Sequence, residues 1–275
     1  MNEMNLINQT YTGSHEKSGL YDIHIVDTSS KSLVLFMHGY MGFKDWGCWN
    51  LVQKHFIESG FNFCKYNITH GGTTLENTTD FVDITSFSEN SYLREYEDCN
   101  AMIQHLNSNF EIEEIHLIGH SRGGGIALLM HSHPRVKSIT TWAAIATIEG
   151  RMKSGEELEA WKKNGVYFIK NGRTHQEMPH SYSAYEEFEA NRDLLSIENQ
   201  SAQCTKPLCI IHGENDTSVS IDEGRTISKT TGVDLITIPT TNHTFDSRHP
   251  WNKPTLPVAL LQVCEKTITF IQSIN

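Results

Sequence analysis

Ile115-His116-Leu117-Ile118-Gly119-His120-Ser121-Arg122-Gly123-Gly124-Gly125-Ile126-Ala127 is the stretch that decides how the rest of the chain is read. A short apolar run (Ile115, Leu117, Ile118) stops at Gly119-His120-Ser121-Arg122-Gly123, and small residues with helical spacing follow. The pattern predicts a strand, a sharp turn with a serine at its apex, and a helix. Backbone strain is expected at such a serine, and glycines two positions to either side remove Cβ atoms that would strike the strand and the helix. The helix start turns its free amides and the positive end of its dipole toward whatever sits beside Ser121. A capping serine in a glycine-rich turn reads the same way in isolation. The other strand ends therefore decide between the two.

Outward from this unit, strands alternate with helices. Residues 21–26 alternate as a strand with one wet face, residues 33–37 are a continuous apolar run suited to a central strand, and residues 61–66 form another. Residues 49–59 have helical spacing with Gly60 as a stop, and Tyr92, Tyr96, Cys99, Ile103 and Leu106 mark one face of a second helix. Residues 1–20 read as a loose polar lead-in with at most an edge strand, and residues 67–89 as a long polar loop. Beyond a strand near 136–146, strands are expected at 208–211 and 235–238 and helices at 221–229 and 256–274, the last with Leu261, Cys264, Ile268 and Ile271 on one face. This order predicts an α/β fold: a mostly parallel sheet with helices on both faces, in one domain spanning residues 1–275. Residues 147–206 interrupt the alternation and are expected to lie over the sheet as a small lid. That insertion holds a charged helix near 156–162, and Asn171-Gly172 between β-formers predicts a two-residue hairpin turn.

Composition narrows the function. Lysine plus arginine number 22 against 33 aspartate plus glutamate, a net charge of −11 that disfavours nucleic acid and anionic membranes as partners. Neither a signal-peptide pattern nor an apolar run of membrane-spanning length occurs, so a cytoplasmic location is expected. The six cysteines are scattered without C-x-x-C spacing, several in apolar runs, as buried reduced thiols would be. His131-Ser132-His133 has no third ligand nearby and reads as a solvated helix end; no metal and no cofactor is expected.

In open α/β sheets ligands sit beyond the carboxyl ends of the strands. Four such ends share one rim: His38-Gly39-Tyr40, Gly119-His120-Ser121, His212-Gly213-Glu214-Asn215-Asp216 and Asn242-His243-Thr244-Phe245. They supply serine, carboxylate and histidine in the order Ser121, Asp216, His243. Serine needs a base within hydrogen-bond reach, imidazole titrates near neutrality, and a buried carboxylate fixes the imidazole tautomer and steadies its cation. Glu214 and Asp222 are rival carboxylates, and Asp246 is a local one. An oxyanion needs N–H donors, expected from the Tyr40 amide, in a turn that Gly39 lets approach the substrate, and from the Arg122 amide after the nucleophile. His38 reads as a post for that turn, and the Arg122 side chain as a solvated helix-start charge or a holder of a substrate anion. Tyr40, Met41, Trp161 and Tyr167 are candidate substrate contacts, with Phe168, Tyr182 and Tyr185 adding to an apolar pocket.

Jointly the His-Gly turn, the Gly-His-Ser-Arg-Gly elbow, the His-Gly-Glu-Asn-Asp segment and the late Asn-His over residues 20–275 resemble the α/β-hydrolase family. Within it they are similar to small cytosolic esterases of the cinnamoyl-esterase, dienelactone-hydrolase and prolyl-oligopeptidase-like group. The resemblance implies an α/β-hydrolase fold with an eight-stranded sheet, its second strand antiparallel, and a lid after the sixth strand. Position 121 is serine where dienelactone hydrolases carry cysteine, and no propeller-sized segment precedes residue 20, so neither of those activities is expected. What remains is a serine hydrolase acting on a small-molecule acyl ester through an acyl-enzyme, as a monomer or homodimer. Thioester or small-amide hydrolysis, acyl transfer or perhydrolysis could use the same residues, and a non-catalytic ligand-binding protein could use the same fold.

Overall fold

The structure is a computed structural model and describes residues 3–274. In chain order its elements are β1 (Met4–Thr12), β2 (Ser18–Ile25), β3 (Ser32–Met37), α1 (Trp49–Glu58), β4 (Phe63–Tyr66), α2 (Ile84–Ser88), α3 (Tyr92–Phe110), β5 (Glu114–His120), α4 (Arg122–Leu129) and β6 (Val136–Trp142). They continue with α5 (Gly155–Asn164), β7 (Val166–Lys170), β8 (Glu177–Ser181), α6 (Ser183–Ala190), α7 (Ile197–Ala202), β9 (Leu208–Gly213), α8 (Ile221–Thr231), β10 (Leu235–Ile238) and α9 (Val258–Ser273).

Eight strands form one sheet in the order β1-β2-β4-β3-β5-β6-β9-β10. Only the pairs made by β2, with β1 and with β4, are antiparallel; the other five are parallel. Side chains alternate across the sheet with period two. Along β3, Leu33, Leu35 and Met37 enter the core under α3, α4 and α8, while Val34 and Phe36 enter the core under α1 and α9. Both faces of the central strands are thus covered, which explains the unbroken apolar run there.

One expectation is sharpened and three need correction. Within the supposed lead-in, residues 1–2 lie outside the described residues, but Met4–Thr12 is a long edge strand paired with β2. Most of its side chains face water, so it carries little hydrophobic alternation to read. Asn171-Gly172 does not make a two-residue turn, because Lys170 pairs with Glu177 and leaves a six-residue loop, 171–176. Asn171 is buried there, and its Oδ1 accepts from the Arg173 and Thr174 amides, so it braces the loop through its side chain. On α9 the inward residues are Leu260, Val263, Cys264, Ile268 and Ile271, whereas Leu261 is exposed. His131 is buried with Nε2 3.1 Å from Gln200 Oε1 and is not solvated.

Candidate active site

The ends of β3, β5 and β9 and the loop after β10 meet at one rim. Ser121 stands between β5 and α4 with φ 58° and ψ −120°, a left-handed conformation that costs a non-glycine residue of order 1–3 kcal/mol. The turn is too tight for side chains: a Cβ on Gly119 would lie 2.2 Å from the Gly123 carbonyl oxygen. Gly39 answers the same crowding from the next strand, since its Cβ would come 2.9 Å from Ser121 Cβ. Its smallness serves contact with the elbow, where the sequence suggested contact with substrate.

His243 Nδ1 donates to Asp216 Oδ2 at 2.7 Å, while Asp216 Oδ1 accepts from the Ser218 and Val219 amides at 2.8 and 2.9 Å. Burial opposes ionisation of Asp216, but hydrogen bonds from His212 and His243 outweigh it and hold the carboxyl well below the usual range. The rivals are elsewhere: Glu214 is exposed and accepts from the Thr240 amide, Asp222 pairs with Arg225, and Asp246 accepts from Thr241. Ser121 and His243 line one cavity of about 480 Å³. Among the described residues no hydrogen bond engages Ser121 Oγ or His243 Nε2, so both remain available toward that space.

Three buried histidines, each at or near the end of a strand, brace the loops that carry these groups. His38 Nδ1 donates to the Gly39 carbonyl, and Nε2 accepts from the Ile68 amide. His120 Nε2 donates to the His243 carbonyl at 2.9 Å and its ring lies 4.8 Å from that of His243. His212 Nε2 donates to the Val219 carbonyl at 2.9 Å and approaches Asp216 Oδ2 at 3.3 Å. Burial keeps the first two neutral, His38 down to about 4 and His120 to about 3. The sequence reading assigned only His38; the signal for the others was a histidine recurring where three strands reach the same rim.

Tyr40 and Arg122 both line this cavity. Arg122 is the first residue of α4, so its amide is among those a helix cannot satisfy internally. The Tyr40 amide has no protein acceptor among the described residues, in a turn closed by Gly42 N–H to the Gly39 carbonyl. Tyr40, Met41, Trp161 and Tyr167 all line the cavity, whereas Phe168 is exposed and, like Tyr182 and Tyr185, lies outside its lining. Tyr40 donates its hydroxyl to His180 Nε2 at 2.7 Å, Tyr167 stacks on the His180 ring at 4.8 Å, and Trp161 Nε1 donates to the His180 carbonyl. This aromatic wall joins the turn at residue 40 to β7 and β8 of the insertion.

Arg122 corrects the expectation of a solvated charge. Its side chain is buried, its Cζ sits 3.7 Å from the centre of the Tyr92 ring, and its Nε lies 2.9 Å from Glu95 Oε1. Burial opposes the charge on Arg122, but Glu95 and the surrounding tyrosines outweigh it and raise its pKa; burial pushes Glu95 upward in turn. A separate groove of about 570 Å³, lined by Asn8, His24 and Lys54 among others, contains none of these residues.

No protein-family model and no curated protein matches the sequence. Solved structures do match. Est1E from Butyrivibrio proteoclasticus with ferulic acid bound superposes with a TM-score of 0.72 at 16% identity, covering 96% of this chain and 98% of that one. Mouse α/β-hydrolase domain-containing protein 10 gives 0.68 at 14%, covering both chains fully. The Pyrococcus furiosus esterase Pf2001 gives 0.63 at 14%, over 100% of this chain and 93% of that one. The chain has the α/β-hydrolase fold. Among the described residues no helix is long and apolar enough to cross a membrane.

Proposed function

We propose that the chain is a serine hydrolase that cleaves a carboxylic ester of a small molecule. The observation that carries this reading is a strained serine sharing a cavity with a histidine whose far nitrogen is tied to a buried carboxylate. In this mechanism His243 Nε2 takes the Ser121 proton as Oγ attacks the ester carbonyl, and Asp216 steadies the resulting imidazolium. The amides of Tyr40 and Arg122 hold the oxyanion of the tetrahedral intermediate. His243 then returns the proton to the departing alcohol. Water, deprotonated by the same nitrogen, releases the acid from Ser121. The aromatic wall supplies an apolar pocket, and residues 147–206 serve as the lid of a single domain. The solved esterases of the same fold favour ester chemistry over the other reactions open to this triad. Six free thiols suit a reducing, cytoplasmic location.

The test compares p-nitrophenyl acetate and longer esters on the natural chain and on Ser121→Ala. We expect kcat to fall by roughly a thousandfold or more in the variant, with folding intact. Undiminished turnover by Ser121→Ala would refute the reading.

A further inference from the structure

We propose that the substrate carries a free carboxylate and that the Arg122 side chain binds it. The inference deepens the ester-hydrolase reading and rests on it. Arg122 is 9% exposed, and its protein partners, Glu95 and the Tyr92 ring, engage only part of its guanidinium. Its Nε lies near Glu95 but does not aim its hydrogen along the contact, so no aligned hydrogen bond forms. A guanidinium has five donors, and here only Nε is enclosed without an aligned partner; the Nη atoms are not enclosed and make no hydrogen bond among the described residues. Arg122 lines the cavity that holds Ser121, whereas Glu95 does not.

The rest of the lining agrees. Among the described residues its charged side chains are Arg122 and Arg151, with no aspartate or glutamate, in a chain where acids outnumber bases 33 to 22. Its histidines are His243 and His180, the latter kept neutral by burial, down to about 4. Arg151 is already engaged by the Thr147 carbonyl and Glu223, so its charge is secondary. Tyr92 beneath and Glu95 beside hold the Arg122 fork in one orientation, so little freedom is lost when a planar two-oxygen anion docks. Glu95 balances part of the Arg122 charge through Nε alone, so a monoanion such as a carboxylate suits the site better than a phosphate dianion.

The full chain is assayed with two matched pairs, each corrected for spontaneous hydrolysis. p-Nitrophenyl hydrogen adipate against p-nitrophenyl hexanoate places the carboxylate on the acyl side. m-Carboxyphenyl acetate against phenyl acetate places it on the leaving-group side. In one pair the anionic member should be favoured in kcat/KM by about tenfold or more. The double variant Arg122→Met with Glu95→Gln, which strands no buried charge, should bring that ratio to one or below. Taking a ratio removes any general damage to the elbow. Should the double variant fail to fold, Arg122→Lys must lower the ratio. Neutral esters turned over with no anionic preference in either pair, or a preference unchanged in the variants, overturns the inference and leaves the ester reading standing. If no ester is turned over, the ester reading fails and calorimetry decides the anion site. Adipic acid monoanilide binding more tightly than hexananilide, with the difference lost in the variants, supports it; equal or weaker binding overturns it.

Discussion

Two clusters of buried charge in this molecule are arranged in opposite ways. Between β2, β4 and the loop after β3, Lys44, Lys65 and Asp22 are buried and pair with the partly exposed Asp45. Asp22 and Lys65 face each other across the β2–β4 pair, and Lys44 Nζ reaches Asp22 and Asp45 at 2.8 and 2.6 Å. Two positive and two negative groups pair with one another, with Asp22 Oδ1 also accepting from the Asn8 amide, so although Asp22, Lys44 and Asp45 line the groove of about 570 Å³ their charges are already matched. At the rim, Asp216 and His243 are hydrogen-bonded to each other and Arg122 pairs with Glu95, but His243 Nε2 and the Arg122 Nη atoms make no hydrogen bond among the described residues, and both residues line a cavity. A closed set of charges stabilises a fold; an open one is held ready for something that is not part of the chain.

That contrast can be broken at either end. Asp216→Asn should lower kcat by about 10³ to 10⁴, because the carboxamide no longer fixes the His243 tautomer. Its thermal midpoint should move less than that of the next variant, since Oδ1 can still accept the Ser218 and Val219 amides. Ester kinetics and a melting curve on one preparation check both halves.

Lys65→Met should do the reverse. It strands Asp22 and Asp45 beside a single lysine and should cost about 3–5 kcal/mol in chemical denaturation, while kcat per folded molecule stays unchanged. Equal loss of stability and of kcat would erase the distinction between the two sites.

A pH effect separates the neutral histidines from both. His38, His116 and His120 have pKa values lowered by burial to about 4, 4 and 3. The unfolded chain takes up these protons near pH 6.5 and the folded chain resists until the lower values. Stability is therefore full above about pH 6.5 and is lost as pH falls toward 4, by about 3 kcal/mol for His38 alone. Asp98, raised to about 6 by burial, works in the opposite sense and offsets part of the loss. Denaturation at pH 7, 5.5 and 4.5 measures the net slope, and a flat profile would contradict the neutral, buried state of these rings.

How much of this was legible in the sequence follows from where each feature gets its information. The central strands and the elbow are written in local pattern: an unbroken apolar run at 33–37, and glycines where Cβ atoms cannot fit around Ser121. Chain order alone matched Asp216 with His243. The strand Met4–Thr12 was read only as at most an edge strand in a loose lead-in, because pairing with one neighbour leaves most of its side chains wet. The Asn171-Gly172 turn was misread because Asn171 braces a longer loop from a buried position, a role its dipeptide does not distinguish. Arg122 looked like a solvated charge because Glu95 and Tyr92, which enclose it, come from the preceding helix. Residues that meet only through the fold leave no spacing to read.

The most direct measurement is to treat the folded chain with a fluorophosphonate and map the adduct by peptide mass spectrometry. One adduct, on Ser121, with labelling reduced at least a hundredfold in His243→Ala, is the predicted result. An unlabelled Ser121, or labelling that His243→Ala leaves untouched, would contradict the claim that this histidine activates this serine.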